Sequence, residues 1–318
     1  MDALLILVGL VLLFVGGEGA LRGAIALAKK LGVSPAMIGL TVIGFGTSAP
    51  ELVVTMQAAI DGQPALAIGN VVGSNISNIL LIVGVGGMIT PLVCDPKALR
   101  RDGLMMQASM VLLVILGMTG KIVFWQGAIM VAVLVGYLAW SYIQDRREGE
   151  VADLHEREVD ELQNVPDNPA VITLYLLLGL GALVGGARLL VEGAVNIATD
   201  FGVPESIIGL TIVALGTSLP ELAATIVAAS RKHADVAVAN VMGSCLFNIL
   251  SILGLTAMVH PLEIVPDIRQ IDMWVMLAAS LALVPMLFGD LKICRRDAAI
   301  LLAGYVIYIG SLATRLPI

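Results

Sequence analysis

The chain has 318 residues, of which 58% are hydrophobic and 14% are charged, and its formal net charge is −7. Its mean hydropathy of +0.96 excludes a soluble globular domain and indicates a membrane protein with several spans. The three cysteines form no disulfide framework, and no cluster of cysteine and histidine predicts a soft-metal site. Neither a nucleic acid nor an obligatory protein partner is expected.

Ten apolar stretches approach the roughly 20 residues that a helix needs to cross a bilayer. The sequence therefore predicts an all-α integral membrane protein with five spans before a hydrophilic segment and five after it. In chain order the predicted spans are 3–28, 36–60, 65–90, 103–120, 122–143, 169–197, 205–230, 235–260, 273–289 and 298–314.

Seventeen residues of the second predicted span recur in the seventh. GLTVIGFGTSAPELVVT runs from Gly39 to Thr55 and GLTIVALGTSLPELAAT from Gly209 to Thr225, with ten identities at a spacing of 170. The chain is therefore internally duplicated, and Glu51 and Glu221 are equivalent residues. Because the two copies are offset by five spans, an odd number, the repeats are predicted to be inverted.

The duplication divides the chain into three parts. Residues 1–143 form the first five-span repeat, 144–168 a linker with nine acids and three arginines, and 169–318 the second repeat. Lysine and arginine are retained on the cytoplasmic side of membranes, and thirteen of them fall there against three outside when both termini are external. We therefore expect external termini and a cytoplasmic acidic linker.

Glu51 and Glu221 are predicted to lie within the membrane, where a carboxylate is costly unless it is protonated, paired or bound to a cation. Neither signature segment contains a lysine or arginine that could pair with it. A purely structural role is the competing interpretation, but two acids at equivalent positions beside helix breakers fit it poorly. The counter-charge is expected to come from a metal ion or a proton.

Each glutamate follows a proline that is preceded by a Gly-Thr-Ser run. This pattern predicts helix breaks at Gly46–Pro50 and Gly216–Pro220. Unwound backbone of this kind exposes carbonyl oxygens, and transporters use such oxygens to coordinate small cations. By their spacing, the hydroxyls expected to share a face with the carboxylate of their own segment are those of Thr47, Ser48, Thr217 and Ser218.

A second duplicated signature lies in the next span of each half. GNVVGSNISNIL from Gly69 to Leu80 and ANVMGSCLFNIL from Ala239 to Leu250 share seven of twelve positions. A serine and an asparagine spaced i, i+4 on one helical stripe are Ser74 with Asn78 and Ser244 with Asn248. The small residues predicted to let this span approach the broken helix closely are Gly69, Gly73, Ala239 and Gly243.

The candidate donors are all oxygens: two carboxylates, several hydroxyls, amides and freed carbonyls. Such a hard set suits Ca²⁺, which takes six to eight oxygens in flexible geometry, and Na⁺ for the same reason. Mg²⁺ fits less well because it keeps its waters.

The paired GTSAPE and GTSLPE motifs, followed by GSNISN and GSCLFN, resemble the alpha-repeats of the sodium/calcium exchanger family over essentially the whole chain. The resemblance implies ten helices in two inverted repeats with discontinuous helices at the midplane, and Ca²⁺/Na⁺ antiport by alternating access without a prosthetic group. It also implies that the first and sixth spans slide as a gating pair, and that the protein lies in a prokaryotic cytoplasmic membrane.

Carried over by motif, the resemblance implies ion ligands in both halves, including two backbone carbonyls. These positions are Gly44, Thr47, Ser48, Glu51, Ser74, Asn78, Ala214, Thr217, Ser218, Glu221, Ser244 and Asn248. Several members of the family have aspartate where this chain has Asn248, so a site of charge −2 is expected here. One Ca²⁺, two Na⁺ or two protons would balance that charge.

Two other functions remain open from the sequence. A proton-coupled Ca²⁺ or other cation antiporter on the same scaffold would alternate its glutamates between protonated and metal-bound forms. An intramembrane metal-dependent enzyme would use the two acids to bind a catalytic ion, but no nucleophile, histidine base or phosphate-binding cluster accompanies them.

Overall fold

The computed structural model describes residues 2–93, 96–147, 168–201, 214–285 and 292–313. These residues are almost wholly helical. In chain order the α-helices are α1 (Asp2–Leu31), α2 (Pro35–Ile38), α3 (Gly44–Thr47), α4 (Ala49–Ile60), α5 (Pro64–Ile76), α6 (Val83–Ile89), α7 (Pro96–Met118), α8 (Phe124–Arg147), α9 (Pro169–Asp200), α10 (Ala214–Gly216), α11 (Leu219–Ser230), α12 (Ala234–Leu246), α13 (Gly254–Val259), α14 (Met273–Ala282) and α15 (Arg295–Ala313). Segments of π-helix at Gly39–Ile43, Ser77–Ile82, Phe247–Leu253 and Ile268–Asp272 continue or join several of them.

The described helices confirm much of the predicted membrane content. Six are long and apolar enough to cross a membrane: Asp2–Leu31, Pro64–Ile89, Arg100–Met118, Phe124–Arg146, Pro169–Asp200 and Ala234–Val259. A seventh span results if the bent pair Pro35–Thr47 and Ala49–Ile60 is counted as one. The other three predicted spans are each occupied in part by one helix: α11 lies within 205–230, α14 lies within 273–289, and α15 overlaps 298–314. Residues 202–213 and 286–291, which belong to or follow two of these spans, and 148–167 of the predicted linker lie outside the described residues.

The two longest helices, α1 and α9, pack closely through glycines. A Cβ atom at Gly9 would lie 2.7 Å from the carbonyl oxygen of Gly186, and one at Gly16 would lie 2.8 Å from the carbonyl oxygen of Gly179. Gly9 and Gly179 are 170 residues apart, and so are Gly16 and Gly186. The two contacts are therefore equivalent, and the pairing of the helices is reciprocal. Without side chains at these crossings the two backbones touch, which explains why glycine recurs every seven residues on this face.

The segment that contains the first signature begins at a well-defined cap. The Ser34 hydroxyl accepts a hydrogen bond from the Met37 amide at 3.2 Å, and Pro35 occupies the first turn of α2. Asp145, near the end of α8, accepts bonds from the Ser34 amide at 2.6 Å and from its hydroxyl at 3.2 Å. Helix α8, which extends past the fifth predicted span, therefore anchors the start of the second.

Four strands of two residues also occur among the described residues, although the sequence predicts an all-α fold. Strand β1 (Leu92–Val93) pairs antiparallel with β4 (Lys292–Ile293), and β2 (Lys121–Ile122) pairs antiparallel with β3 (Leu262–Glu263). Each pair joins one half of the chain to the other. Segments of two residues are too short to show a periodicity, so pairing rather than local sequence creates these strands.

Candidate ion-binding site

Both signature glutamates lie in the first turn of a helix and are fully enclosed. Glu51 follows Pro50 in α4 and Glu221 follows Pro220 in α11, and each is 0% exposed. Proline fits the first turn because its missing amide hydrogen would have no partner there. The positive end of each helix therefore lies beside a buried carboxylate, which favours negative charge at that position.

The predicted break in the first half is narrower than expected. Residues Gly44–Thr47 remain helical as α3, and the interruption falls at Ser48, whose ψ of 6° departs from helical geometry. The segments on either side of Ser48 are bent by 44°. Ser218, with a ψ of 5°, occupies the equivalent position before α11. The sequence therefore located the break correctly and overestimated its length.

The serines of the breaks contact the opposite carboxylate rather than the one in their own segment. Ser48 Oγ donates to Glu221 Oε1 at 2.8 Å, and Ser218 Oγ donates to Glu51 Oε1 at 3.2 Å. The threonines follow the same crossing, with Thr47 beside Glu221 and Thr217 beside Glu51. The expectation that hydroxyl and carboxylate share a helix face did not specify the hydrogen-bond partner. The two broken helices cross, so each serine bonds to the carboxylate of the other half.

The second signature adds polar atoms that have no hydrogen-bond partner among the described residues. Asn78 and Asn248 are both 0% exposed, and neither amide nitrogen nor amide oxygen of either residue is bonded. Glu51 Oε2, Glu221 Oε2 and Ser74 Oγ are buried and unbonded in the same way. Buried polar atoms normally find partners, so this concentration of unbonded atoms indicates a place where a ligand supplies the missing contacts.

The carbonyl oxygen of Gly44 also belongs to this cluster. It accepts hydrogen bonds from the Thr47 hydroxyl at 3.4 Å and from the Ser244 hydroxyl, in the other half of the chain, at 3.4 Å. The equivalent carbonyl, that of Ala214, belongs to the first residue of α10, immediately after residues that lie outside the described ranges. Ser74, which is equivalent to Ser244, makes no corresponding bond.

The helices of the second signature each contain a π-helical segment at the predicted ligand. Helix α5 continues into Ser77–Ile82, which contains Asn78, and α12 continues into Phe247–Leu253, which contains Asn248. Short π-helical segments occur frequently at functional sites because they redirect side chains. In each half the serine of the predicted i, i+4 pair therefore lies in the α-helix, and the asparagine lies in the π-helical segment that follows it.

The small residues of this signature behave differently in the two halves. A Cβ atom at Gly44 would lie 3.1 Å from the amide of Ser244, and every residue of α12 except Asp235 is buried. The predicted close approach therefore occurs for the helix of the second half. A Cβ atom at Gly73 would meet no atom within 4 Å, and one at Gly69 only Ile268 at 3.6 Å. The small edge predicted at Gly69 and Gly73 is therefore not packed against the described residues.

An asparagine in each half ties the glutamate helix to the next span, and sequence reasoning missed both. Asn70 donates to Thr55 Oγ1 at 3.0 Å and to the carbonyl oxygen of Glu51 at 3.3 Å. Asn240 repeats this with Thr225 Oγ1 at 3.2 Å and the carbonyl oxygen of Glu221 at 3.4 Å. The asparagine, the threonine and the glutamate each recur unchanged at a spacing of 170, and that recurrence was the available signal. They hold each glutamate backbone in position.

The fold and the cluster together define an almost wholly helical integral membrane protein with two fully buried carboxylates. The family model described as sodium/calcium exchanger protein matches residues 1–143 and 171–313. The chain belongs to this family, which confirms the resemblance inferred from the motifs.

Relatives and a solved structure agree over nearly the whole length. Sodium/calcium exchanger MaX1 of Methanosarcina acetivorans is 33% identical, over 96% of this chain and 97% of that protein. Inner membrane protein YrbG of Escherichia coli is 32% identical, over 99% of this chain and 97% of that protein. The sodium-calcium exchanger NCX_Mj, soaked with zero Na⁺ and Ca²⁺, superimposes with a TM-score of 0.84 at 29% identity, with 98% of each chain covered.

Proposed function

We propose that the protein is a secondary antiporter that exchanges Ca²⁺ for Na⁺ by alternating access, with the ions bound between Glu51 and Glu221. One observation carries the proposal. Both carboxylates are fully buried, and each keeps an Oε2 atom without a hydrogen-bond partner among the described residues. None of the ion pairs found in the described part of the chain involves either residue. A passing cation is the missing counter-charge.

The donors around the two carboxylates fit a hard cation. The unbonded atoms are carboxylate, hydroxyl and amide groups, and the amide oxygens of Asn78 and Asn248 are free to turn toward an ion. Six to eight oxygens satisfy Ca²⁺ in flexible geometry. We propose as ligands the twelve positions implied by the motifs: Gly44, Thr47, Ser48, Glu51, Ser74, Asn78, Ala214, Thr217, Ser218, Glu221, Ser244 and Asn248. Asn70 and Asn240 act behind them as positioning residues.

Exchange follows from the charge of the site. Two carboxylates are neutralised by one Ca²⁺ or by two Na⁺, so Ca²⁺ and Na⁺ compete for the same oxygens. An empty site would leave two like charges buried at once, which is strongly unfavourable. The protein is therefore expected to change its orientation only when an ion is bound, and this makes transport of one ion depend on the other.

The ion that is exchanged for Ca²⁺ is either Na⁺ or a proton, and we propose Na⁺. The names of MaX1 and NCX_Mj as sodium/calcium exchangers support Na⁺. Two protons would neutralise the same two carboxylates, and Asn248 supplies no third acid that would distinguish the cases. Proton-coupled antiport is therefore the second candidate.

A flux measurement distinguishes the two. Purified protein in liposomes is given ⁴⁵Ca²⁺ with an imposed sodium gradient, or with a proton gradient in the absence of sodium. We expect uptake with the sodium gradient only. Uptake with the proton gradient alone would identify protons as the coupling ion, and absence of uptake under both gradients would contradict antiport.

The topology proposed for the membrane is ten spans in two inverted repeats with both termini outside. The strand pairs support it, because paired strands must lie on the same side of the membrane. The four predicted spans between β2 and β3 return the chain to the side from which it started, and one span separates β1 from β2. Inverted repeats therefore place one strand pair at each surface. Localisation in a prokaryotic cytoplasmic membrane is supported by the relative named inner membrane protein.

An enzymatic role has less support than transport. The family and the similar proteins named above are exchangers or membrane proteins, and the cluster around the glutamates consists of hydroxyls, amides and carbonyls. We therefore propose Ca²⁺ and Na⁺ as transported substrates, with no prosthetic group and with the lipid bilayer as the protein's environment.

A further inference from the structure

Three charged positions of the first half recur in the second half with their signs reversed. The reciprocal glycine contacts between α1 and α9 establish that residues 170 apart are structurally equivalent in these helices. Helices α4 and α11 also end alike, since each is followed by a residue with positive φ, Gly62 at 69° and Lys232 at 63°. By this correspondence the reversed positions are Glu18 with Arg188, Arg22 with Glu192, and Asp61 with Arg231.

Glu18 joins α1 to the helix that carries Glu221. Its Oε1 atom accepts a hydrogen bond from Arg22 Nε at 2.8 Å, and its Oε2 atom accepts one from Arg231 Nε at 2.9 Å. The side chain of Glu18 is 17% exposed and that of Arg231 is 46% exposed. Arg231 caps the end of α11, so this ion pair holds the middle of α1 against one end of the helix that carries Glu221.

The equivalent residues are apart in the same structure. Arg188 is exposed and forms no ion pair with the described residues, and Asp61 instead accepts a bond from Gln57 Nε2 at 2.9 Å. Glu192, the neighbour of Arg188 on α9, is also exposed. Among the described residues, the ion pair therefore forms in one of the two equivalent places and is absent from the other.

We propose that Arg188 and Asp61 form an ion pair in the opposite conformation of the transporter, and that this pair and the Glu18–Arg231 pair form in alternation. The inference rests on the proposed alternating access. The two halves are equivalent, so the opposite conformation of the transporter results when each half adopts the conformation of the other. In that conformation Arg188 occupies the position that Glu18 has now, and Asp61 the position of Arg231.

The reversed signs keep this alternation attractive at both ends. Glu18 and Arg231 have opposite charges, and so do the equivalent residues Arg188 and Asp61. Because α1 and α9 are packed backbone to backbone, they move as one body, and forming one pair separates the other. Partly exposed ion pairs are weak, so each can break during a transport cycle. These residues set which end is closed, and they do not contact the transported ion.

Disulfide cross-linking tests the proposal without depending on transport. Cys94, Cys245 and Cys294 are first replaced by alanine. Two cysteine pairs are then introduced separately, Glu18→Cys with Arg231→Cys and Asp61→Cys with Arg188→Cys. The control pair is Asp61→Cys with Leu178→Cys, because Leu178 lies ten residues, or about 15 Å, along α9 from position 188. Cross-linking is measured in liposomes without ions, with Na⁺ and with Ca²⁺.

We expect both test pairs to cross-link at least fivefold more than the control in at least one condition. Each cross-link should abolish ⁴⁵Ca²⁺ exchange, and reduction should restore it. If the pair at positions 61 and 188 cross-links no better than the control in every condition while exchange is intact, the alternation is wrong. If both pairs cross-link but calcium neither binds in calorimetry nor is transported, the alternation stands and the proposed function fails.

Discussion

Removing one of the two buried charges tests the core of the proposed mechanism. Replacing Glu51 or Glu221 by glutamine preserves the shape of the side chain and lowers the site charge from −2 to −1. Both carboxylates are 0% exposed and each accepts one serine hydrogen bond, so water cannot compensate in either case. Removing one partner of a buried charged pair costs about 3–5 kcal/mol. Calcium affinity should therefore fall between about 150-fold and about 4,000-fold.

The equivalence of the two glutamates makes the prediction stricter. Glu51→Gln and Glu221→Gln should weaken Ca²⁺ binding by similar factors, because each carboxylate has one bonded and one unbonded oxygen. Isothermal titration of detergent-purified protein with CaCl₂ measures this directly. Glu263→Gln, which removes an exposed carboxylate in β3, is the matched control and should leave affinity unchanged. A change below threefold in both core variants would refute the reasoning.

Three further changes test the surroundings of the site. Asn240→Ala removes two hydrogen bonds that hold the glutamate helix. It should lower calcium affinity about 5- to 150-fold, since each bond contributes about 0.5–1.5 kcal/mol. Asn196→Ala, which removes an exposed bond, should leave the affinity unchanged, and equal affinities in the two variants would contradict a positioning role. Gly186→Leu places a side chain against backbone 2.8 Å away and should destabilise the protein by at least about 1–3 kcal/mol. Its thermal midpoint should be lower than that of Gly136→Leu, because a Cβ atom at Gly136 meets no atom of the described residues within 4 Å. Identical midpoints would contradict the close packing. Asn248→Asp adds a third carboxylate and should raise the number of Na⁺ ions exchanged per Ca²⁺ from two toward three. Exchange of two Na⁺ for one Ca²⁺ moves no net charge, so ⁴⁵Ca²⁺ flux in liposomes should respond to membrane potential in this variant and not in the unchanged protein. A variant flux that is equally insensitive to membrane potential would count against charge balance as the determinant of stoichiometry.

The broken helices show how far local sequence reasoning reaches. The Gly-Thr-Ser-x-Pro-Glu pattern located the interruption because proline and glycine act on their own backbone. Its extent was overestimated, since the Ser48 amide still bonds to the Gly44 carbonyl at 3.2 Å and the Leu52 amide to the Ser48 carbonyl at 3.2 Å. Packing of neighbouring helices retains these bonds, and no residue pattern within the segment encodes that packing.

The second signature illustrates a different limit. Asn78 and Asn248 were predicted as ligands from their recurrence, from the hardness of their oxygens and from the family resemblance. Their π-helical setting was not, because one additional residue per turn leaves an apolar sequence with the same composition and nearly the same periodicity. The positioning residues Asn70 and Asn240 were likewise visible as identities, but their bonds to the preceding helix depend on how two spans pack.

The amino-acid sequence by itself determined the membrane character, the internal duplication and the two acids without a local base, because hydrophobicity, recurrence and charge can be read residue by residue. Only the tertiary structure decided that Ser48 bonds to Glu221 and Ser218 to Glu51, contacts that join residues 173 and 167 positions apart. Spacing along a helix specifies which side chains share a face. Which face of the other half they meet is set by the packing of helices that are distant in the chain.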